Sequence, residues 1–253
     1  MKSLIIEEVE NGVKRISLNS GRGNPLTPDL IVDLSTTLDA LSKHPPRALV
    51  LDANGSSIFS GGFALPIIAD WPRPRMKSFF EEFNSIMSKL LTIRCPVVAG
   101  VGGHAIAGGF ILSLAADFRI IGNNRSKFGL SEVDLGVAVP SSARVLLGWR
   151  TTMQHALTLS SSGKLMNTEE AMKCGYGMEQ VDDPESRALD LAQELAKKPG
   201  DGVATTRVLA GKTIWESMKE ADDRDMDAFL DTWFSPSGQA AINAMAKKLG
   251  KSK

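Results

Sequence analysis

The chain is poor in the residues on which several classes of protein depend. It has two cysteines, one tyrosine and three histidines, and its 29 basic and 29 acidic residues leave no formal net charge. Cys95 and Cys174 lie far apart, which excludes a disulfide-rich scaffold and predicts free thiols in a reducing, cytoplasmic compartment. The balanced charge argues against nucleic-acid binding through a basic surface. What remains is an ordinary globular composition, 43% hydrophobic and 23% charged, that can bury a sizeable core.

Long hydrophobic runs are also scarce. Only residues 95–116 lack Asp, Glu, Lys and Arg over a length that could cross a membrane. Their proline, histidine and five glycines instead favour a buried strand, a glycine turn and a buried helix. The apolar run at the N-terminus is too short for a signal peptide. We therefore expect neither a membrane span nor a secretory signal.

Strand and helix patterns alternate over the first two thirds of the chain. Strands are predicted at residues 4–8, 13–18, 47–52, 96–101 and 118–121, and helices over 28–43, around 79–91 and from 108 onward. Asn11-Gly12 is typical of a hairpin turn, and Thr27 is a typical N-cap. From Thr151 on, the pattern is helical throughout. These patterns predict an α/β core over residues 1–195 and a helical section over 196–253.

Several familiar catalytic motifs fail to match. The glycine run that begins at Gly100 has Ala105 where a dinucleotide-binding fingerprint needs its third glycine. Neither glycine cluster is followed by the lysine of a P-loop, and there is no GxSxG nucleophile elbow and no HExxH zinc motif. The three histidines lack metal-ligand spacing. A metalloenzyme and an ordinary serine hydrolase are therefore both disfavoured.

Two glycine-rich segments, residues 58–65 and 103–110, are suited to a single task. Each places small residues after a β-rich run, so that a ligand can approach backbone N–H groups that point outward. A pair of such N–H groups can hold an oxygen that gains negative charge during a reaction. In the second segment the donor would lie at the start of a helix, where the helix dipole favours an anion.

These segments resemble the enoyl-CoA hydratase/isomerase family, also called the crotonase family. FSGGFAL at residues 59–65 is similar to the family's first oxyanion motif, close to FSAGADL. Residues 103–117 are similar to the second motif, G-x-A-x-G-G-G-x-E-L-A-x-x-x-D, and FGLSEVDLG at 128–136 is similar to F-G-x-P-E-x-x-L-G. A weaker match at residues 168–175 extends the resemblance over nearly the whole chain. It implies an α/β crotonase-like (ClpP/crotonase) fold of stacked ββα units with a helical C-terminal section.

The resemblance also implies roles for individual residues. The N–H groups of Phe63 and Gly108 would bind the thioester carbonyl oxygen of an acyl-CoA, and Glu132 falls on one of the family's two catalytic glutamates. Segment 63–66 would line the CoA moiety. The implied binding residues are Gly61, Gly62, Phe63, Ala64, Leu65 and Gly108. CoA enters as part of the substrate, no metal or redox cofactor is implied, and the C-terminal section would assemble a homotrimer or a dimer of trimers.

Departures from the family pattern indicate which reaction to expect. The family's other glutamate position holds Ile111, and the run from Leu135 to Pro140 lacks the glycine cluster usual in hydratases. Hydration usually uses two carboxylates, whereas one base can move a double bond by taking a proton from C2 and returning it at C4. The pattern favours a Δ3,Δ2-enoyl-CoA isomerase. The alternatives are an enoyl-CoA hydratase or acyl-CoA hydrolase that uses Glu132 alone or with Asp134, and a non-catalytic acyl-CoA-binding protein.

Other candidates receive structural interpretations. Asp117 is predicted to cap structure, and His104 to be a satisfied histidine beside the second turn. An apolar pocket is expected to raise the pKa of Glu132. Helical spacing favours the core for Phe79, Phe80 and Phe83, with the wall of an acyl pocket as the alternative. Trp233 is predicted to pack across a subunit boundary.

Overall fold

The computed structural model describes residues 3–122 and 125–250. Its strands are β1 (Leu4–Val9), β2 (Val13–Leu18), β3 (Ala48–Asp52), β4 (Ile58–Ser60), β5 (Val97–Val101), β6 (His104–Ile106), β7 (Phe118–Gly122), β8 (Phe128–Gly129) and β9 (Glu179–Val181). Its helices are α1 (Pro28–Lys43), α2 (Leu65–Ile68), α3 (Arg73–Thr92), α4 (Gly108–Leu114), α5 (Ser141–Arg150), α6 (Met153–Ser162), α7 (Thr168–Lys173), α8 (Pro184–Ala196), α9 (Gly200–Trp233) and α10 (Pro236–Gly250).

The strands form two sheets. The main sheet has the order β1-β2-β3-β5-β7-β9, in which β1 and β2 are antiparallel and every later pair is parallel. A smaller parallel sheet has the order β4-β6-β8. Each strand of the small sheet follows a strand of the main sheet along the chain, so the two sheets are built from the same repeated units.

The local signals in the first part of the chain are confirmed. Asn11 and Gly12 adopt φ values of 62° and 72° in the turn between β1 and β2, a left-handed conformation that asparagine and glycine tolerate best. Helix α1 has the predicted bounds, and the Thr27 side chain accepts a hydrogen bond from the Leu30 N–H.

The prediction that the chain is helical throughout from Thr151 is wrong at β9. This strand pairs in parallel with β7 at the edge of the main sheet, where Ile120 lies opposite Glu179. A three-residue edge strand owes its conformation to that pairing, which a local periodicity does not reveal.

The core lies on both faces of the main sheet. Leu49 and Leu51 of β3 face a large cluster with α1 and α3, whereas Ala48 and Val50 face a smaller cluster with α8. Residues 95–116 form β5, a glycine turn, β6 and α4, as predicted. In the described ranges, no helix is long and apolar enough to cross a membrane. Helix α9 packs against α3 and α5. The boundary between an α/β core and a helical section at residue 195, and the role of that section in trimer assembly, stay predictions.

Candidate active site

The small sheet brings three separate segments together. Strand β6 lies between β4 and β8, and all three strands run in the same direction. The segments that begin at Gly61, Ala107 and Leu130 therefore all start at the carboxyl ends of these strands, on the same side of the sheet. The two glycine turns and the loop that carries Glu132 become neighbours for this reason.

The first turn directs one backbone N–H away from its neighbouring segment. Leu26 donates its N–H to the Gly62 carbonyl oxygen at 2.8 Å and accepts the Ala64 N–H at 3.2 Å. Because successive peptide groups of an extended segment point in opposite directions, the Phe63 N–H points to the other side. Gly61 donates its N–H to Gly23 at 2.9 Å, so this group is already used.

Close approach to the second turn requires glycine at position 62. Gly62 has φ +89°, and a Cβ there would lie 3.0 Å from the Ala107 Cβ and 3.2 Å from the Gly108 nitrogen. In the second turn, Gly109 cannot carry a side chain, because its Cβ would lie 2.4 Å from the Ser60 oxygen. The two turns are thus in direct contact.

The second turn contains backbone strain. Ala107 has φ 51° and ψ −126°, where the similar family motif has glycine. Such a conformation costs about 1–3 kcal/mol in a residue with a Cβ. The Ala107 N–H bonds to the Gly129 oxygen at 2.9 Å, which ties the turn to β8. Gly108 is the first residue of α4, so its N–H has no acceptor within the helix.

Glu132 occupies a 3-10 turn, Glu132–Leu135, directly after β8 and two linking residues. The residue is partly exposed, but its Oε2 atom is buried and has no hydrogen-bond partner in the part of the chain that the structure describes. Burial raises the pKa of this carboxyl to about 7, although backbone hydrogen bonds at Glu132 and Ser131 oppose part of the rise. A carboxylate with this pKa suits proton transfer near neutral pH.

A cavity of about 260 Å³ joins these elements. Its walls are formed by Gly61, Phe63, Leu65, Phe80, Ile106, Ala107, Ser131, Glu132, Asp134, Leu135, Val137, Pro140, Phe229, Trp233, Met245 and Leu249. The wall is predominantly apolar, and its acids are Glu132 and the exposed Asp134. Such a space can hold an apolar acyl group beside one buried carboxylate.

The structure brings several of the predicted site residues to this wall. Gly61, Phe63, Leu65 and Glu132 line the cavity, whereas Gly62, Ala64 and Gly108 are not part of its lining. Ile111 is buried in the core, so its position adds no carboxylate to the cavity. The catalytic and binding roles of these residues stay predictions.

Other polar candidates are engaged elsewhere. The His104 Nδ1 accepts the Lys127 N–H at 3.0 Å, and the Tyr176 hydroxyl is buried 2.7 Å from the Ser113 hydroxyl. Asp117 accepts the Val97 N–H at 2.8 Å and pairs with Arg207. These contacts agree with structural roles for His104 and Asp117.

Sequence reasoning missed the far wall of the cavity. Phe80 contacts Phe229 and Trp233, with ring centroids 4.5 and 5.7 Å apart. The core interpretation holds for Phe79 and Phe83, which pack on the Phe63 ring, but Phe80 also forms cavity wall. Trp233 is only 4% exposed within its own chain, so its packing does not need a neighbouring subunit. Helical spacing marks these apolar faces but does not identify what each face contacts.

Known proteins are similar to this chain over most of its length. A model of the family described as enoyl-CoA hydratase/isomerase matches residues 8–248. The mitochondrial methylglutaconyl-CoA hydratase of Mus musculus is 27% identical over 198 residues, which cover 75% of this chain and 63% of that protein. Peroxisomal enoyl-CoA delta isomerase 2 of Arabidopsis thaliana is 29% identical over 191 residues, or 69% of this chain and 78% of that protein.

A solved structure extends the likeness to the fold. The human mitochondrial delta3-delta2-enoyl-CoA isomerase superposes with a TM-score of 0.90 at 21% identity, and the match covers 99% of both chains. The matched segment spans less than two thirds of the methylglutaconyl-CoA hydratases, 63% of the mouse protein and 58% of the human one.

Proposed function

The chain belongs to the enoyl-CoA hydratase/isomerase family, and on that premise we propose that it is a Δ3,Δ2-enoyl-CoA isomerase with Glu132 as its single base. The family and the crotonase-like α/β fold predicted from the sequence are confirmed. The observation that carries the isomerase proposal is the Glu132 carboxyl group, whose Oε2 atom is buried without a partner among the described residues in a mostly apolar wall, together with Ile111 at the second glutamate position.

In the proposed mechanism, the carboxylate of Glu132 takes a proton from C2 of a 3-enoyl thioester. The electron pair of the broken C2–H bond forms the C1–C2 double bond of a dienolate, the C3–C4 double bond stays in place, and the carbonyl π electrons move to the thioester oxygen. The N–H groups of Phe63 and Gly108 stabilise that oxygen. Protonated Glu132 then delivers its proton to C4, which leaves a 2-enoyl thioester and restores the carboxylate.

The cavity wall supports proton return over addition of water. Phe80, Phe229 and Trp233 form an aromatic wall in the same cavity as Glu132. An acyl chain against this wall would exclude water from the dienolate, and exclusion of water limits side reactions of reactive intermediates.

A hydratase is the second candidate, because Asp134 lines the same cavity as Glu132. Two carboxylates could share the work of activating water and delivering a proton to C2. Attack of water on the thioester carbonyl would instead give the hydrolase reaction, with release of free CoA.

We further propose that the active form is a homotrimer or a dimer of trimers. Trp149, Met153 and Leu157 at the junction of α5 and α6 are 52%, 63% and 53% exposed, which supports burial against another subunit. Light scattering on the purified chain tests this assembly. CoA is proposed to enter only within the substrate, since a proton shuttle requires no metal or redox group. The buried free thiols of Cys95 and Cys174 support a cytoplasmic location.

Product analysis separates the candidate reactions. Purified protein is given a 3-enoyl-CoA and, separately, a 2-enoyl-CoA, and products are identified by mass and retention time. We expect the first substrate to become its 2-enoyl isomer without change of mass. Gain of water by the second substrate at a higher kcat/KM would establish a hydratase instead, and release of free CoA would establish a hydrolase. Tight binding without turnover would indicate a non-catalytic binding protein.

A further inference from the structure

A second cavity, of about 470 Å³, lies at the opposite end of the main sheet from Glu132. It is bounded by the start of β5, the start of β7, the end of α8 and the first turns of α9. The five residues of β5 run from this cavity toward the small sheet, and at about 3.3 Å per residue they separate the two cavities by about 15 Å. We call this second cavity the basal groove.

The basal groove combines apolar walls with a concentration of positive charge. Leu91, Phe118, Leu195 and Ile214 contribute apolar surface. Arg150 and Arg207 line the groove with a single carboxylate, Asp117, and Lys198 adds another cation. In a chain with no net charge, this local excess of cations is a distinct feature.

One of these three cations, Arg207, is already ion-paired. Arg207 pairs with Asp117 and donates to the carbonyl oxygens of Leu91 and Ile93 at the end of α3. Asp117 is thus occupied by one guanidinium and by the Val97 N–H. The Asp117–Arg207 ion pair therefore has a structural role at the end of the groove beside α3.

Arg150 differs from Arg207. Its Nε donates to the Leu114 carbonyl oxygen at 2.9 Å, and within residues 3–122 and 125–250 it makes no ion pair and no further hydrogen bond. Burial lowers the pKa of the Arg150 guanidinium, the nearby Asp117 carboxylate opposes this shift, and the Arg207 charge adds to it. Because Asp117 is already ion-paired with Arg207, the largely buried Arg150 has no ion pair of its own, so an external anion bound there would be stabilised.

We propose that the basal groove binds an amphipathic monocarboxylate, whose carboxylate pairs with Arg150 and whose chain lies against Phe118, Leu195 and Ile214. The groove, with a volume of about 470 Å³, provides room for the alkyl chain of the ligand. Its rim is open at Gly202, where an added Cβ would meet no atom within 4 Å. The guanidinium group matches a carboxylate in shape as well as charge. This site is independent of the reaction at Glu132.

Calorimetric titration of the whole chain with octanoate tests the site. The titration is made in the presence of a saturating saturated acyl-CoA, which occupies the cavity beside Glu132. We expect one octanoate per chain, and at least about tenfold weaker binding of octan-1-ol, which lacks the charge. Displacement of octanoate by the acyl-CoA would overturn the proposal, as would the absence of octanoate binding at millimolar concentration.

Three variants locate the bound octanoate. Arg150→Gln should weaken binding at least about tenfold, and Ala210→Trp should abolish it by filling the groove from an exposed lining position. Leu209→Trp places the same indole side chain at the neighbouring exposed position outside the groove wall and should leave binding unchanged. If Arg150→Gln fails to fold, Ala210→Trp still decides the question. The proposal would be overturned if Ala210→Trp bound octanoate as well as the parent protein does. It would also be overturned if the parent protein bound no octanoate and Ala210→Trp lost its oligomeric assembly, because the groove would then be a subunit contact.

Discussion

The cavity beside Glu132 and the Asp117 end of the main sheet use acidic side chains in opposite ways. Asp117 receives the Val97 N–H and the Arg207 guanidinium, so both its charge and its hydrogen-bonding capacity are satisfied. The Oε2 atom of Glu132 is buried without a partner among the described residues, and burial raises its pKa to about 7. Both acids lie in segments that resemble family motifs. The candidate site is therefore distinguished by a carboxyl oxygen without a partner inside a largely apolar cavity, rather than by burial of an acid alone.

The backbone shows the same contrast. The turns beside the cavity hold Gly62 at φ +89° and Ala107 at φ 51°, two conformations that side chains with a Cβ rarely adopt. At the other end, Arg207 stabilises the carbonyl oxygens at the end of α3. The cavity thus combines backbone strain with an unpartnered carboxyl oxygen, whereas the Asp117–Arg207 pair at the other end contributes stability.

Glu132→Gln should have the largest effect on catalysis. Loss of the base is expected to lower kcat for isomerisation by about 10²–10⁴-fold and to leave binding of a CoA thioester largely intact. Steady-state kinetics with a 3-enoyl-CoA measure the loss, and calorimetry measures binding. Asp134→Asn is the matched control in the same wall and should change kcat by less than about threefold, since its side chain is exposed. An equal loss in both variants would contradict a single-glutamate mechanism.

Asp117→Asn should have the largest effect on stability. It leaves the buried Arg207 without its carboxylate and is expected to lower the free energy of unfolding by about 3 kcal/mol. Urea unfolding followed by circular dichroism measures the change, and kcat per folded molecule should be unaffected. Asp223→Asn removes an exposed ion pair with Lys219 and should cost less than about 1 kcal/mol. Equal stability of the two variants would show that the Asp117–Arg207 pair does not stabilise the fold as inferred.

The raised pKa of Glu132 predicts a pH-dependent stability difference. Between its ordinary value of 4.5 and about 7, the folded chain holds a proton on Glu132 that the unfolded chain releases. The free energy of unfolding of the parent protein should therefore fall relative to Glu132→Gln as pH rises through this range, by about 3 kcal/mol. Urea titrations of both proteins at pH 4.5 and pH 8 test the sign, and a constant difference would contradict it. Over the same range kcat/KM should rise with pH and level off above about 7, where the base is ionised.

Gly62→Ala tests the contact between the two turns. A Cβ at this position is strained and would push on the Gly108 nitrogen, so we expect kcat to fall by about 10–100-fold through misplacement of the N–H groups. Gly61→Ala is the matched control, because its Cβ would meet only the Gly23 oxygen, at 3.5 Å. Because Gly61 also lines the cavity, some loss of activity is expected, but kcat should fall by a smaller factor than in Gly62→Ala. Similar kinetics for the two variants would show that the spacing of the turns does not matter for the reaction.

Ala107→Gly should have the smallest effect. Relief of the strained backbone at φ 51° is partly offset by the greater freedom of glycine in the unfolded chain, so a gain of up to about 1 kcal/mol is expected. Thermal unfolding measures this change. A loss of stability would mean that the alanine side chain contributes more packing than its backbone strain removes.

Local signals in the sequence were sufficient to predict helix α1 and the two glycine turns. The Thr27 cap and the leucine spacing predict α1 to the residue, and the glycine pairs after β-rich runs predict both turns. Family resemblance, rather than periodicity, singled out Glu132. The orphaned Oε2 atom, which supports that assignment, follows from packing between segments distant in sequence.

The features that escaped prediction depend on tertiary partners. Strand β9 is defined by its pairing with β7, and Phe80 becomes cavity wall only because α9 lies opposite it. The apolar face of α3 has the same helical spacing whether it meets core or cavity. Sequence patterns thus predicted elements and turns, whereas the walls of the site required the packing of α3, α9 and α10.

Helix α10 has a consequence for the order in which the site becomes competent during synthesis. Met245 and Leu249 of this helix close the cavity that contains Glu132, although they are translated long after the two turns and the base. A nascent chain that has already formed the small sheet but still lacks α10 leaves the Glu132 carboxyl open to water. The pKa of Glu132 then stays closer to that of an ordinary glutamate, and it rises only once α10 has packed against the cavity.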